Sequence, residues 1–345
     1  MILADSTKFL RRAMAAIAAV VFFTALALAS SESVWAQAPP DPPPDESCPP
    51  RIMVDFCRDV RGSQGFLLTK GDFTTLVFPG ATLTTLFDIN NRGQMVGTYV
   101  DAQGPTRGGF THGLAIDKDG VFTTIDVPGP LETEIFGIND RGQMVGAFED
   151  TSGITRGFLL DDGVFTPIDA PGAATETVLF EINNRGQILG GYVDAGGTRR
   201  SFVLEDGVFT DFAFPGASRT AGFDINDRSQ IVGFYIDDVG PGHGFLLDKG
   251  TFITIDIADD SGPQPTQIFA INNRGQMAGN FLDLPASGPL PDVEPVRQFL
   301  RDSKGNVTMI DHPEAAPNRT AALALNDRGD IVGSFQTNDQ AAGGR

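Results

Sequence analysis

Six arginines recur at one position of a repeated nine-residue motif. They are Arg92, Arg141, Arg185, Arg228, Arg274 and Arg328. A planar guanidinium donates two parallel hydrogen bonds to a carboxylate, which makes arginine suited to binding anions. Equivalent turns of a repeat emerge on one face of a fold, so the six side chains would form a ring there. The spacing therefore indicates a candidate site for an anionic ligand, such as a uronic acid polymer.

A structural role competes with this interpretation. Each arginine would then pair with a neighbouring acid, for example Asp88, Asp140 or Glu181, and tie adjacent repeats together. We favour the structural role, because functional sites usually break the symmetry of a repeat.

We find no catalytic constellation, and we predict no catalytic residue. The three histidines, His112, His243 and His312, lack partners at metal-ligand spacing, so we interpret them as residues of loops or strand edges. Neither a nucleophile elbow nor a glycine-rich phosphate loop is present. The sequence thus favours a protein that binds rather than one that reacts.

We predict no metal site and no cofactor, with weak calcium binding as the one alternative. Residues 88–93 resemble the start of a calcium loop, but Arg92 takes its fifth position and no glutamate closes it. Acidic pairs at Asp237–Asp238 and Asp259–Asp260 would be the places for weak calcium. We favour ordinary solvated turns as the explanation of these pairs.

The motif that carries the arginines predicts a β-hairpin. Ile138 to Gly146 reads Ile-Asn-Asp-Arg-Gly-Gln-Met-Val-Gly, and successive copies start 49, 44, 43, 46 and 54 residues apart. Asn139 can accept hydrogen bonds from the backbone two residues on. Gly142 would take the left-handed position of a G1 bulge. The fourth copy has Ser229 at that position, which should strain the turn by roughly 1 kcal/mol.

Each repeat contains four runs typical of strands. In the third repeat they are residues 157–160, 164–169, 177–183 and 187–193, with turn residues between them. The recurring phenylalanines at period 2 indicate core packing. Six four-stranded antiparallel units predict an all-β fold, a six-bladed β-propeller. A parallel β-helix is the alternative, but it does not require this tight hairpin.

The N-terminal segment suggests how the ring closes. Residues 51–68 align with residues 230–247, so residues 51–58 resemble a spare fourth strand and the strand count becomes 25. We expect this strand to pair into the last blade or beside its final strand, residues 330–335, because an open ring would leave unpaired edges.

The chain start is typical of an exported protein. Residues 1–38 have a basic start, an uncharged run and small residues at a cleavage site, as in a signal peptide. We assign residues 39–50 to a Pro-rich linker, 51–336 to the propeller and 337–345 to a disordered tail. Cys48 and Cys57 are the only cysteines, and export favours a disulfide between them.

Composition limits the partners. Of 345 residues, 25 are Lys or Arg and 44 are Asp or Glu, and the net charge of −19 disfavours nucleic acid and anionic membranes. No second run is apolar enough to span a membrane after signal removal. We expect a monomer that binds an extracellular glycan or protein.

The order of these motifs resembles the HAF-repeat extracellular proteins of bacteria over residues 60–336. The positions that match the family tripeptide read His243-Gly244-Phe245, Arg156-Gly157-Phe158 and Arg200-Ser201-Phe202, so the middle residue departs. The resemblance implies a protein that is secreted, periplasmic or at the cell surface, and it implies no known activity. We therefore expect a secreted, non-catalytic binding or interaction module. A polysaccharide lyase or hydrolase on the same scaffold is the alternative.

Overall fold

The computed structural model describes residues 62–101, 111–129, 132–237, 242–259, 262–283 and 296–337. Within these ranges the chain forms strands and turns and no helix, as the sequence predicts. The signal peptide, the linker, the Cys48–Cys57 disulfide, residues 51–58 and nearly all of the tail lie outside the described residues.

The described residues form 26 strands. The first thirteen are β1 (Gln64–Thr69), β2 (Asp72–Leu76), β3 (Ala81–Ile89), β4 (Met95–Asp101), β5 (Thr111–Ile116), β6 (Phe122–Ile125), β7 (Thr133–Ile138), β8 (Met144–Glu149), β9 (Thr155–Asp161), β10 (Val164–Ile168), β11 (Ala173–Ile182), β12 (Ile188–Asp194) and β13 (Arg199–Glu205). The others are β14 (Val208–Phe212), β15 (Arg219–Ile225), β16 (Ile231–Ile236), β17 (His243–Asp248), β18 (Thr251–Ile255), β19 (Ile257–Asp259), β20 (Gly262–Gln264), β21 (Thr266–Ile271), β22 (Met277–Leu282), β23 (Val296–Arg301), β24 (Val307–Met309), β25 (Thr320–Leu325) and β26 (Ile331–Phe335).

Antiparallel four-stranded sheets are the unit of the fold, arranged like propeller blades. Four sheets stand alone, in the orders β2-β1-β26-β25, β3-β4-β5-β6, β15-β16-β17-β18 and β21-β22-β23-β24. The meanders β7–β10 and β11–β14 make one eight-stranded sheet, joined by a parallel pairing of Thr155 with Glu176. The short hairpin β19–β20 is an insertion that the repeat pattern does not predict.

One strand of each four-stranded unit precedes the turn of the repeated motif, and we call these six the inner strands. They are β3, β7, β11, β15, β21 and β25. Each contacts the next, and β25 contacts β3, so the inner strands close a cycle around a central axis. The turns lie at one end of this axis, and we call the opposite end the far end.

The two ends of the described chain meet in one sheet. Strand β26 lies between β25 and β1, with Gly333 opposite Phe66, so both of its edges are occupied. Residues 51–58, which we expected to pair into the last blade or beside residues 330–335, lie outside the described residues, so their pairing stays a prediction. Each four-stranded unit combines the last two strands of one repeat with the first two strands of the next. In the same way, β1 and β2 complete the sheet that β25 and β26 begin.

The core lies between the sheets. The Gly-Phe-Leu-Leu runs each place one fully buried side chain there, namely Phe66, Leu114, Phe158, Phe202, Phe245 and Phe299. Outer-strand phenylalanines pack on them, for example Phe165 with its ring 5.2 Å from that of Phe158. These contacts confirm that the recurring phenylalanines form the core.

The last glycine of the motif allows the second strand to approach the inner strand closely. A Cβ on Gly97, Gly146, Gly233, Gly279 or Gly333 would lie 1.8 to 2.1 Å from an inner-strand carbonyl oxygen. No side chain fits at that distance, so the strand pairing requires glycine.

Every inner strand contains a β-bulge at the same place, three residues before the turn asparagine. The extra residues are Phe87, Phe136, Phe180, Phe223, Phe269 and Leu323. A bulge changes the direction of a side chain. Here the aromatic rings meet across neighbouring inner strands, with centroids 5.3 Å apart for Phe87 and Phe136 and 5.7 Å apart for Phe223 and Phe269. The bulges thus form an aromatic belt about the axis.

Candidate functional site

The first asparagine of each turn stabilises its own turn and the next one. In the second copy Asn139 accepts hydrogen bonds from the backbone of Arg141 and Gln143 through its side-chain oxygen, as the sequence predicts. Its amide also donates to the backbone oxygen of Asn183 in the following turn. The same bond, 3.0 to 3.3 Å long, recurs in a closed cycle through Asn90, Asn139, Asn183, Asn226, Asn272 and Asn326.

The second residue of each turn forms another closed cycle. Along the chain these residues alternate as Asn91, Asp140, Asn184, Asp227, Asn273 and Asp327. Each backbone N–H donates to the side-chain oxygen of the next residue at 2.7 to 2.8 Å. Each asparagine amide also donates to the aspartates on both sides, at 2.8 to 3.3 Å. The carboxylates of this Asn/Asp ring therefore have their hydrogen-bond partners within the ring.

Three more carboxyl groups lie just inside the ring. Asp88 accepts hydrogen bonds from the N–H groups of Ile89 and Ile138, and Asp224 accepts one from Ile271. Burial raises the pKa of Asp88 to about 7 and that of Asp224 to about 8. Burial and the charge of Asp88 raise the pKa of Glu181 well above its usual range. The mouth of the axis at this end, a space of about 440 Å³ counting its opening, is therefore acidic.

The six arginines surround this acidic mouth at the third position of the turns. Arg141 and Arg328 donate to the backbone oxygens of Asn184 and Asn91 in the next turn. Arg185 donates to the hydroxyl of Ser229, whose φ of 60° is the left-handed value that the motif predicts. These contacts join adjacent turns without the expected acids Asp88, Asp140 and Glu181. Arg92, Arg228 and Arg274 make no side-chain hydrogen bond to another described residue. An anion held by all six stays a prediction.

The far end departs from the repeat. At one inner-strand position, successive copies have Glu132, Glu176 and Arg219, and at another they have Glu134, Val178, Ala221 and Gln267. Such variation is expected where a repeat has acquired a site. The alignment of copies contains this signal, but the sequence alone does not show that these positions meet.

Among the described residues, buried polar atoms that lack a hydrogen-bond partner concentrate at the far end. They include Oε2 of Glu132, Oε2 of Glu134 and both side-chain polar atoms of Gln267. These residues are only 3%, 4% and 1% exposed. Burial raises the pKa of Glu134 to about 8. Burial, followed by the charges of Glu134 and Glu149, raises that of Glu132 to about 9. Native structures pair nearly all such atoms with protein, water or ligand.

A cleft opens at the far end between β11 and β15. Its space is about 460 Å³ including the mouth, and it is lined by Phe180, Phe223 and Phe234 and by the polar residues Glu176, Arg199 and Arg219. Arg199 donates to both carboxylate oxygens of Glu176. Arg219 lies over the Phe234 ring, 5.4 Å from its centroid. Burial, followed by the charge of Arg199, lowers the pKa of Arg219 to about 10, so the group stays charged at neutral pH.

Two of the histidines lie at strand starts between aspartates. His112 bonds Asp126 through Nδ1 at 2.9 Å, and His243 bonds Asp256 at 2.7 Å. Arg156 occupies the equivalent place in β9 and contacts Asp150 and Asp169. Across the described ranges no three His, Cys, Asp or Glu side chains gather as metal ligands. The calcium expectation involves residues 238 and 260 and the side chain of residue 259, which are not described.

Comparison with known proteins supports the fold and gives no family. No family model and no curated protein matches the chain. A putative TolB from Agrobacterium tumefaciens superposes with a TM-score of 0.56 at 12% identity, over 80% of this chain and 99% of that one. TolB from Acinetobacter baumannii gives 0.50 at 11% identity, over 81% and 65%. A lectin from Aleuria aurantia gives 0.44 at 12% identity, over 74% and 87%, a score too low to carry an argument. In the part of the chain that the structure describes, no helix has the length and apolarity to cross a membrane. The chain thus has a β-propeller-like fold.

Proposed function

We propose that this protein is a secreted, non-catalytic binding module built on a six-bladed β-propeller. The six turns of the Asn/Asp ring support the blade count, if the eight-stranded sheet is counted as two blades joined by the pairing of Thr155 with Glu176. The alternation of asparagine and aspartate supports it too. A ring of alternating partners closes without two like neighbours only when the number of turns is even.

The far end is the binding site in this proposal. The observation that carries it is the set of buried polar atoms without partners on Glu132, Glu134 and Gln267. A buried polar group without a hydrogen bond costs about 1–3 kcal/mol, and a bound ligand or water removes that cost. At the turn end the Asn/Asp ring satisfies its own polar groups, which makes that end a structural closure.

Export is part of the proposal and rests on residues 1–38, whose pattern is that of a signal peptide. It places the binding site in the periplasm, at the cell surface or outside the cell. The resemblance to HAF-repeat proteins agrees with this location.

A glycan array followed by matched variants tests the proposal. Gln267→Leu changes the far end, and the double variant Arg92→Ala, Arg228→Ala changes only turn arginines that lack described side-chain partners. We expect a glycan ligand whose binding the first variant weakens and the second preserves, with both variants melting like the parent. Loss of binding in the double variant alone would instead assign the site to the six arginines. Binding that neither variant changes would overturn the far-end site.

A polysaccharide-active enzyme is the second candidate, and the buried pair Glu132 and Glu134 favours it. Their raised pKa values keep both groups protonated at neutral pH, as a general acid requires. Each glycan that binds should therefore be incubated with the protein and its ends counted. Release of new reducing or unsaturated ends that Glu134→Gln abolishes would make the protein an enzyme.

A further inference from the structure

Two neighbouring units differ in how they neutralise one buried glutamate. Glu132 in the unit β7–β10 and Glu176 in the unit β11–β14 occupy equivalent positions, seven residues before the turn asparagine. Arg199 donates to both carboxylate oxygens of Glu176. The residue equivalent to Arg199 in the unit β7–β10 is Thr155, three residues before the buried phenylalanine of its strand. The arginine that pairs with Glu176 thus has no counterpart there, because a threonine takes its position.

The strand register aligns this threonine with the glutamates. Strand pairing places Glu132, the residue before β7, beside Glu149, which pairs in turn with Thr155. Residues directly opposite each other in an antiparallel pair have their side chains on one face. Glu134 shares the face of Glu132, because the two are separated by one residue of an extended chain. We call Glu132, Glu134 and Thr155 the acidic cluster.

Three oxygens of the acidic cluster are buried and have no hydrogen-bond partner among the described residues. They are Oε2 of Glu132, Oε2 of Glu134 and Oγ1 of Thr155, in residues that are 3%, 4% and 3% exposed. Because burial raises the pKa of both glutamates, to about 9 and about 8, they hold their protons at neutral pH. A cation that binds between them would replace these protons.

The number of these oxygens and their positions on three side chains match a primary ammonium group. An ammonium has three N–H donors on one nitrogen, whereas the planar fork of a guanidinium matches the two oxygens of one carboxylate, as Arg199 does on Glu176. Across the described ranges no three His, Cys, Asp or Glu side chains gather as metal ligands, so a hydrogen-bonding cation fits the cluster better than a metal ion. The net charge of −19 also favours a cationic ligand.

The far end favours a sugar as the source of the ammonium. Both side-chain polar atoms of Gln267 are buried there without a partner. An amide of this kind donates to one hydroxyl and accepts from another. A hexosamine has hydroxyls beside its amino group, whereas a lysine side chain has none.

We propose that the acidic cluster binds the protonated amino group of a hexosamine unit in a glycan, with one N–H donated to each of the three unpartnered oxygens. The bound ammonium supplies the positive charge that Arg199 supplies to Glu176 in the next unit. The inference rests on the proposed binding function and names the group that the far end recognises.

Calorimetry on the exported protein tests the ligand class. The probes are a glucosamine oligosaccharide with free amino groups, its N-acetylated form and trilysine. We expect the free amine to bind at least tenfold more tightly than the N-acetylated form, which has neither the charge nor the three N–H donors. Binding of trilysine without binding of the glucosamine oligosaccharide would overturn the glycan source and make the ligand a basic protein.

Proton release gives a second readout of the same binding. The glutamates of the acidic cluster are protonated in the free protein at neutral pH and must ionise to accept an ammonium. We expect about one proton to be released for each amine bound at neutral pH. Calorimetry in buffers of different ionisation enthalpy measures this number, and a value of zero would contradict binding between the glutamates.

Matched variants locate the site. Glu132→Gln should weaken binding of the amine at least tenfold without lowering the melting temperature. Glu205→Gln is the control, since Glu205 is an exposed glutamate that pairs with Arg185 outside the cluster. Thr155→Arg restores the arginine of the next unit, so it should abolish amine binding and raise the melting temperature.

Three results overturn the inference. Equal binding of the free and N-acetylated oligosaccharides shows that the ammonium is not recognised, and the binding-module function then survives with a neutral glycan. Thr155→Arg that binds the amine like the parent and melts no higher has the same meaning. So does absence of amine binding up to about 10 mM while a neutral glycan binds and depends on Gln267. Absence of any ligand, including all glycans on the array, contradicts the proposed function itself.

Discussion

At the scale of single residues, the Asn/Asp ring depends on one amide meeting two carboxylates. Asp140 accepts hydrogen bonds from the backbone and amide of Asn91 and from the amide of Asn184. An asparagine in its place would present an amide N–H₂ to two other amides. Asp and Asn have nearly the same shape, so the ring depends on a carboxylate oxygen, rather than an amide nitrogen, at this position.

We predict that Asp140→Asn lowers the free energy of unfolding by about 1–3 kcal/mol, because partly buried donors lose their acceptor. Relief of repulsion with Asp88 offsets a small part of this. Urea unfolding followed by circular dichroism measures the change. Asp162→Asn is the matched control, since Asp162 is an exposed turn residue with φ of 47°, which asparagine also adopts. Equal stability of the two variants would show that the ring does not stabilise the fold.

The turn chemistry could be predicted from the sequence, whereas the far-end cleft could not. Asn139 and Gly142 act within five residues, so local rules are sufficient for them. Arg199 and Arg219 meet because two strands from neighbouring units lie side by side, and their separation along the chain contains no such information. What the sequence does contain is the departure of these positions from the repeat.

At the scale of elements, the sequence shows the length of the repeat but not which strand of the repeat begins each sheet. The motif predicts a hairpin between β3 and β4, and the structure confirms it. Nothing local distinguishes a sheet that starts at β1 from one that starts at β3, so the sequence did not predict that β1 pairs with β26. The bulges were missed for a similar reason, because a period of 2 assigns Phe136 and its equivalents to a face without showing the extra residue.

The close approach of β8 to β7 gives the first prediction at the scale of elements. Gly146→Ala should cost about 3 kcal/mol or more, because its Cβ would lie 2.0 Å from the Glu134 oxygen. Gly172→Ala should cost only about 1 kcal/mol, since Gly172 has a positive φ but open space around it. Thermal melting of both variants measures the contrast. Similar losses in the two would mean that the strands separate easily.

The closure of the ring by the pairing of β1 with β26 gives the second prediction at this scale. Deleting residues 39–76 behind the export signal removes β1 and β2, so β26 loses one of its two neighbouring strands. We expect a lower melting temperature and association, since an exposed strand edge invites pairing with other chains. Deleting residues 39–60 keeps the β1–β26 pairing and should have the smaller effect. Light scattering and melting compare the two truncations. A larger effect from the shorter deletion would place the closure outside β1 and β2.

At the scale of the whole molecule, the buried acids make stability depend on pH. The pKa values of Asp88 and Asp224 are raised to about 7 and about 8, so the folded protein binds these protons more tightly than the unfolded chain. The resulting stability is complete below about pH 4, where unfolded carboxyls are also protonated. It is lost as the pH rises through the folded values.

We therefore predict that the melting temperature falls between about pH 4 and about pH 8 and that the double variant Asp88→Asn, Asp224→Asn has a flatter profile. Melting scans across this range measure both slopes. Asp206→Asn is the control, since Asp206 is an exposed turn residue with φ of 49°. A profile as steep in the double variant as in the parent would assign the pH dependence to other groups.

The alternation of asparagine and aspartate around the ring also limits how such a chain can evolve. Loss or duplication of a single repeat would bring two aspartates or two asparagines together, and no exchange of Asn for Asp can remove the like pair from a ring with an odd number of turns. Gain or loss of two consecutive repeats preserves the order. The heritable unit of this architecture is therefore a pair of blades, and relatives with four or eight repeats are easier to reach by one recombination event than relatives with five or seven.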